Sequence, residues 1–243
     1  KNLVIAKAYG TAPFTLEAVL EWLETFGGPF RPYIEDTGSF LDAAASQGKR
    51  ILFEAQLGAL RDVDFGIYPY TSSSSTIAAY APIGAGVPGR RLDRTIGIMK
   101  AYSSSVGGGP FVCEMFGPEG DALREAGDEY GAATGRPRRV GGFDVPASRY
   151  GVHVQGANEL ALTKLDVLGG MQNIPVCAHY DIDGELTESF PFGERLERAK
   201  PVVEYLPGWA KDISGCRTEA DLPDNAKRYV SVGAGREQYL TRS

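Results

Sequence analysis

The residue types best suited to chemistry gather in residues 129–144, EYGAATGRPRRVGGFD, which set Gly131, Gly135, Gly141 and Gly142 around Arg136, Arg138 and Arg139. Glycine lets a backbone take positive φ and approach a ligand closely. An arginine fork matches a carboxylate or phosphate through two parallel hydrogen bonds, which lysine cannot do. A glycine-rich turn carrying arginines therefore reads as a clamp for anions; a surface loop with solvated arginines is the alternative. Further along comes Thr163-Lys164-Leu165-Asp166, after the apolar run Leu160-Ala161-Leu162. An ionised aspartate only accepts hydrogen bonds. Asp166 would therefore suit the N1–H and 2-amino donors that guanine has and adenine lacks, with the Lys164 stem against the base. Lys-x-Asp is also an ordinary surface pair. Its place just after a probable strand favours a ligand, because open α/β sheets bind ligands outside the carboxyl ends of strands.

These residues need elements to hold them. Residues 1–50 read as helical: Leu16, Val19, Leu20 and Leu23 keep helical spacing between Thr15, a suitable N-cap, and Gly27-Gly28. A weaker copy of the pattern runs over residues 36–48. Residues 51–53 read as a buried strand, with Glu54 and Gln56 offered to a ligand at its end or held in a plain loop. The serine run at 71–76, flanked by Tyr68, Tyr70, Ile77 and Tyr80, suits a packed loop whose hydroxyls and amides hold phosphate; a linker is the alternative. Residues 94–104 are a helix or strand leading into the glycine turn at 106–110, and residues 120–127 a short polar helix. Residues 174–180 read as a strand, and Asp183-Gly184 as the turn of a hairpin to residues 186–190. Residues 200–209 look extended and irregular, residues 220–229 helical, and the final SVGAGREQ a third glycine loop. Two divisions follow: a helical segment over 1–50 and a ligand-binding α/β portion over 51–243.

The composition narrows the partners. The 243 residues are 43% hydrophobic and 23% charged, with a formal net charge of −6. A mean this acidic argues against nucleic acid, and the local arginines point to small anions. Cys113, Cys177 and Cys216 are odd in number and widely spaced, as reduced thiols in a cytoplasmic protein would be. No run approaches a membrane span, and no signal peptide is visible. His153 and His179 have no carboxylate or cysteine at ligand spacing and read as structural.

EYGAATGRPRRVGGFD, ALTKLDVL, DFGIYPYTSSSS, KAYSSSVGGGPF and EYLPGW, taken together, resemble the adenylosuccinate synthetase family, from about residue 47 onward and more faintly before. The resemblance implies a GTP-dependent ligase of purine biosynthesis. It would join IMP and L-aspartate into adenylosuccinate, with Mg2+ and a 6-phosphoryl-IMP intermediate. It also implies an α/β fold: a large, mostly parallel sheet flanked by helices, similar to P-loop NTPases, with a small antiparallel hairpin region. Its members are cytoplasmic homodimers, with no nucleic-acid or membrane partner.

Residue by residue, the family's aspartate-binding loop falls on Ala132, Ala133, Thr134, Gly135, Arg136, Pro137 and Arg138. Arg136 would serve IMP and the aspartate carboxylate, and Arg138 would reach the GTP side. Lys164, Leu165 and Asp166 would hold guanine, helped by Ser231, Val232 and Gly233. Ser72 matches a family threonine that contacts the IMP phosphate, Gln56 would contact IMP, and Val106 falls beside the aspartate site. Several positions depart from the family. FEGAQG appears as FEAQLG, with Leu57 in the ungapped glutamine position; Pro137 replaces an arginine, and Gly142 a tryptophan. The family's helix and strand between Tyr229 and Ser231 are missing. Its N-terminal part, with the GDEGKG phosphate loop, the catalytic aspartate and histidine, and the expected magnesium ligands, has no counterpart. No residue of this sequence stands out as the general base or as a metal ligand. A non-catalytic guanine-nucleotide-binding module derived from the family is the alternative.

Overall fold

A computed structural model of the chain describes residues 1–235. Two compact units form: Lys1–Ile51 with Ala85–Val87, and Leu52–Gly84 with the residues from Pro88 onward. In the first, the expected helices are α1 (Asn2–Ala8), α2 (Leu16–Gly27) and α3 (Thr37–Ser46), with a 3-10 turn at Gly28–Tyr33. Their starts are fixed by side chains. Thr15 Oγ1 accepts from Ala18 N at 3.1 Å, and Asp36 Oδ1 accepts from Ser39 N at 3.1 Å. Each satisfies an amide that the first helical turn leaves without a partner. None of the three helices buries a residue, so the apolar stripe of α2 lies open.

The second unit is α/β. Its strands are β1 (Ile96–Lys100), β2 (Ser103–Ser105), β3 (Arg139–Gly141), β4 (Phe143–Asp144), β5 (Glu159–Thr163), β6 (Asn173–Ile182), β7 (Glu185–Thr187) and β8 (Lys200–Pro207). Its helices are α4 (Ala81–Gly84), α5 (Gly117–Ala126), α6 (Val145–Gln155), α7 (Glu194–Arg198) and α8 (Asp224–Gly235). The pairs β1–β5 and β4–β6 are parallel; β2–β3, β6–β7 and β6–β8 are antiparallel. Strand β6, NIPVCAHYDI, is buried along most of its length because it has neighbours on both sides. Asp183 and Gly184 both take positive φ, the left-handed pair that a tight hairpin turn needs. Helix α6 starts at Asp144, which accepts from Ala147 N, and stops at Gly156 in the left-handed conformation. Tyr102, Phe143, Leu168, Ile174, Trp209 and Tyr229 meet in the main core.

Three expectations are corrected. Residues 51–53 pair with no strand, and Leu52 is 90% exposed, because no neighbouring strand takes up their backbone among the described residues. Residues 200–207 form the regular strand β8, held by its register along β6. SVGAGREQ is not a loop at its start: α8 runs on through Gly235, and Arg236 lies outside the described residues. Its amphipathic spacing and buried Tyr229 outweigh the helix penalty of its glycines. Among the described residues, no helix is long and apolar enough to cross a membrane.

Candidate functional site

The arginine loop is a closed hairpin. Its base is the backbone pair Arg138 N to Glu129 O at 2.9 Å, backed by a bridge between Tyr130 and Pro137. Within it, Gly131 N donates to Arg136 O at 2.9 Å, and Gly135 N donates to Gly131 O at 2.7 Å. Gly135 has φ +63, which a side chain rarely tolerates. Ala132, Ala133, Thr134, Gly135, Arg136 and Pro137 are all exposed. Among the described residues the Arg136 guanidinium has no partner, so its fork is open to a ligand. Arg138 is half-buried: Nη1 donates to Glu129 Oε2 at 3.0 Å, and Nε is buried without a partner among the described residues.

Glu129 is the hub beneath this loop. It is 1% exposed, and its Oε1 accepts from Lys100 Nζ and from the Tyr102 hydroxyl, each at 2.6 Å. Burial by itself would raise the carboxyl's pKa; the bonds from Lys100, Tyr102 and Arg138 outweigh burial and hold it below its ordinary value. Tyr102 moves the opposite way, raised by burial first, then by Glu129 and by the nearby Asp166.

The same hub meets the TKLD segment. Thr163 ends β5, and Lys164 then takes φ +60, a conformation that costs a non-glycine residue roughly 1–3 kcal/mol. The turn brings Lys164 Nζ to within 2.9 Å of Gly127 O, two residues before Glu129. Gly127 tolerates no side chain there, since a Cβ would collide with the Tyr102 hydroxyl. Asp166 opens the 3-10 turn Asp166–Gly170 with its carboxylate exposed, and Leu165 is half-buried beside it.

On the other side the path runs through two arginines. Arg139 donates to Glu114 through Nε at 2.9 Å and through Nη1 to Gly109 O at 2.8 Å, fixing the glycine turn that carries Val106. Arg61 bonds that turn through Nη2 to Val106 O at 2.7 Å, and through Nη1 to Tyr70 O at 2.6 Å. Burial, and then Arg139, lower its pKa from the ordinary value. Ser72 N donates to Arg61 O at 2.8 Å, while its hydroxyl donates to Ser74 O. The serine run is a packed loop, organised by Asp62, which is fully buried and accepts from the amides of Asp64, Phe65 and Thr76.

Ser72, Val106, the arginine loop and Lys164–Asp166 therefore lie along one path of direct contacts and short chain steps. Gln56 does not join it: it is exposed and, among the described residues, without a partner, next to Leu57 at φ +77. Ser231, Val232 and Gly233 sit within α8, and the Ser231 hydroxyl donates back to Lys227 O at 2.9 Å. The sequence reading missed Arg61, Asp62, Lys100 and Tyr102. It named Glu129 only as the edge of a motif. The one local signal was a carboxylate beside the arginine loop, and nothing local showed that it is buried. His179 pairs with Glu188 at 3.0 Å, and His153 is exposed on α6.

A family model described as adenylosuccinate synthetase matches residues 1–233. The chain belongs to the adenylosuccinate synthetase family. It is 46% identical over 233 residues to an adenylosuccinate synthetase of Nocardioides sp., covering 96% of this chain and 54% of that protein. The solved structure of fully ligated adenylosuccinate synthetase from Plasmodium falciparum superposes with a TM-score of 0.89 at 34% identity, over 97% of this chain and 57% of that one. The chain thus spans about half the length of these family members.

Proposed function

We propose that this chain supplies ligand contacts of a GTP-dependent carbon–nitrogen ligase that joins IMP and L-aspartate into adenylosuccinate. The observation that carries the reading is the path just described, which joins the arginine loop to Lys164–Asp166 at the end of β5. Asp166 accepts from the N1–H and 2-amino group of guanine, with Lys164 alongside. Arg138 faces the GTP side, and the open fork of Arg136 takes the aspartate carboxylate and IMP. The exposed backbone of residues 132–135 lines the aspartate, while Ser72 serves IMP; Gln56, which does not join the path, is left out of the reading. Helix α8 leaves residues 231–233 no free loop amides, since helical amides bond the residues four back; they are left out of the reading. In such phosphoryl transfer, catalysis is chiefly positioning and charge neutralisation. Among the described residues no group of three or more His, Cys, Asp or Glu gathers as metal ligands, so no step assigned to this chain passes through Mg2+. Family membership supports the ligase rather than the non-catalytic module. A homodimeric, cytoplasmic enzyme goes with the reading.

The test is a change of base. In Asp166→Asn a donor faces the guanine amino group, whereas xanthine offers a carbonyl there. Titrating GTP and XTP into both chains should show GTP affinity falling by about 1.5–3 kcal/mol, the scale of a charge-assisted hydrogen bond, and XTP affinity rising. Equal GTP affinity in the two chains would remove Asp166 from the site and take the guanine assignment with it.

A further inference from the structure

We propose that Glu129 is the positioning residue for Arg138, and through Arg138 for the anion that the arginine loop takes. The inference rests on the guanine-nucleotide reading above. Glu129 itself is spent on protein donors: both carboxylate oxygens are taken, by Lys100 and Tyr102 on one and Arg138 on the other. With two cations on one buried carboxylate, the cluster keeps one positive charge in excess. That excess favours a negative ligand beside it, and partial burial strengthens the attraction relative to water.

The pose of Arg138 points the same way. Its Nε is buried and, among the described residues, lacks a partner, which is costly for a donor. A guanidinium free to choose would turn to satisfy Nε. Among the described residues, its only side-chain bond is Nη1 to Glu129 at 3.0 Å, reinforced by the backbone pair between the same two residues. Glu129 therefore fixes the guanidinium plane and leaves Nη2 unbonded among the described residues. Lys100 Nζ also donates to Ser104 Oγ at 2.7 Å, so the lysine that holds the carboxylate is itself fixed, and the carboxylate cannot swing away without breaking its bonds to Lys100 and Tyr102. The reach to the other subsite is short: Tyr102 bonds Glu129 and feels Asp166, and Lys164 bonds Gly127 two residues away.

The experiment is a double-mutant cycle read by calorimetric titration of GTP into the 243-residue chain. Glu129→Gln keeps the shape and removes the charge. It should weaken GTP binding about tenfold, within the coupling seen between contacting residues. In an Arg138→Ala background the same change should have less than about a twofold effect, because the residue it acts through is gone. A purely structural role would weaken binding equally with or without Arg138, and that result overturns the proposal. Should Glu129→Gln fail to fold, Tyr102→Phe removes one of the three donors and enters the same cycle, with an expected loss of about threefold that again vanishes without Arg138. Unchanged binding in Glu129→Gln, with binding lost in Asp166→Ala, would overturn the role of Glu129 and leave the guanine reading standing. A wild-type chain that binds no GTP overturns both.

Discussion

Replacing Asp62 by asparagine should loosen the loop that presents Ser72, and the cost can be worked from its contacts. Oδ1 accepts from the amides of Asp64 and Phe65, each at 2.9 Å; Oδ2 accepts from Thr76 N at 2.6 Å and from the Ser75 hydroxyl at 3.2 Å. An asparagine that keeps Oδ1 in place sets its NH2 against the Thr76 amide, donor facing donor. The lost charge-assisted bond costs about 1.5–3 kcal/mol, and the two remaining bonds weaken from charged to neutral, for a total of about 3–4 kcal/mol. The flipped amide loses two backbone bonds instead of one and does worse. Urea unfolding of the 243-residue chain should register the loss, with faster hydrogen exchange at the Thr76 amide. The variant also predicts a change with pH. Burial pushes the Asp62 carboxyl upward, but the backbone bonds prevail and hold its pKa below the ordinary 3.8. The folded state thus favours the ionised form. The resulting stability is fully present above pH 3.8 and is lost as pH falls through the lower folded value. Asp62→Asn should lack this acid-side slope. A stability loss below about 1 kcal/mol, the value of one ordinary hydrogen bond, or an unchanged acid slope, would refute the reasoning.

Two further outcomes follow from the site and its supports. Arg136→Lys keeps the charge and loses the planar fork, so aspartate and IMP recognition in a protein restored to family length should weaken by about 2–5 kcal/mol, the cost of losing one partner of a desolvated charge pair; unchanged kcat/KM for aspartate would place the clamp elsewhere. Gly142→Ala should destabilise the chain by about 1–3 kcal/mol, as overpacking does, because its Cβ would stand 2.6 Å from the backbone oxygen of Pro175; an unchanged urea midpoint would show that β4 and β6 can part to admit it.

Much of this molecule was legible in the sequence, because its signals are local. Thr15 and Asp36 cap helices within their own first turns, and Asp183-Gly184 bends β6 into β7 through two adjacent left-handed residues. The arginine loop and TKLD carry their chemistry in consecutive residues, and TKLD does follow a strand. What tertiary structure alone decided concerns burial and partners far apart in the chain. Residues 51–53 are as apolar as a core strand, yet Leu52 is exposed, since a strand exists only where another backbone pairs with it. Glycines 233 and 235 read as loop formers, but α8 runs through them because packing a helical face, with Tyr229 buried, outweighs their propensity. Glu129 looked like a motif's edge; Lys100, brought from 29 positions away, made it the buried hub. The Glu129 charge can be removed from water only where donors distant in the chain, Lys100 and Tyr102, meet it, and only the folded chain brings them together.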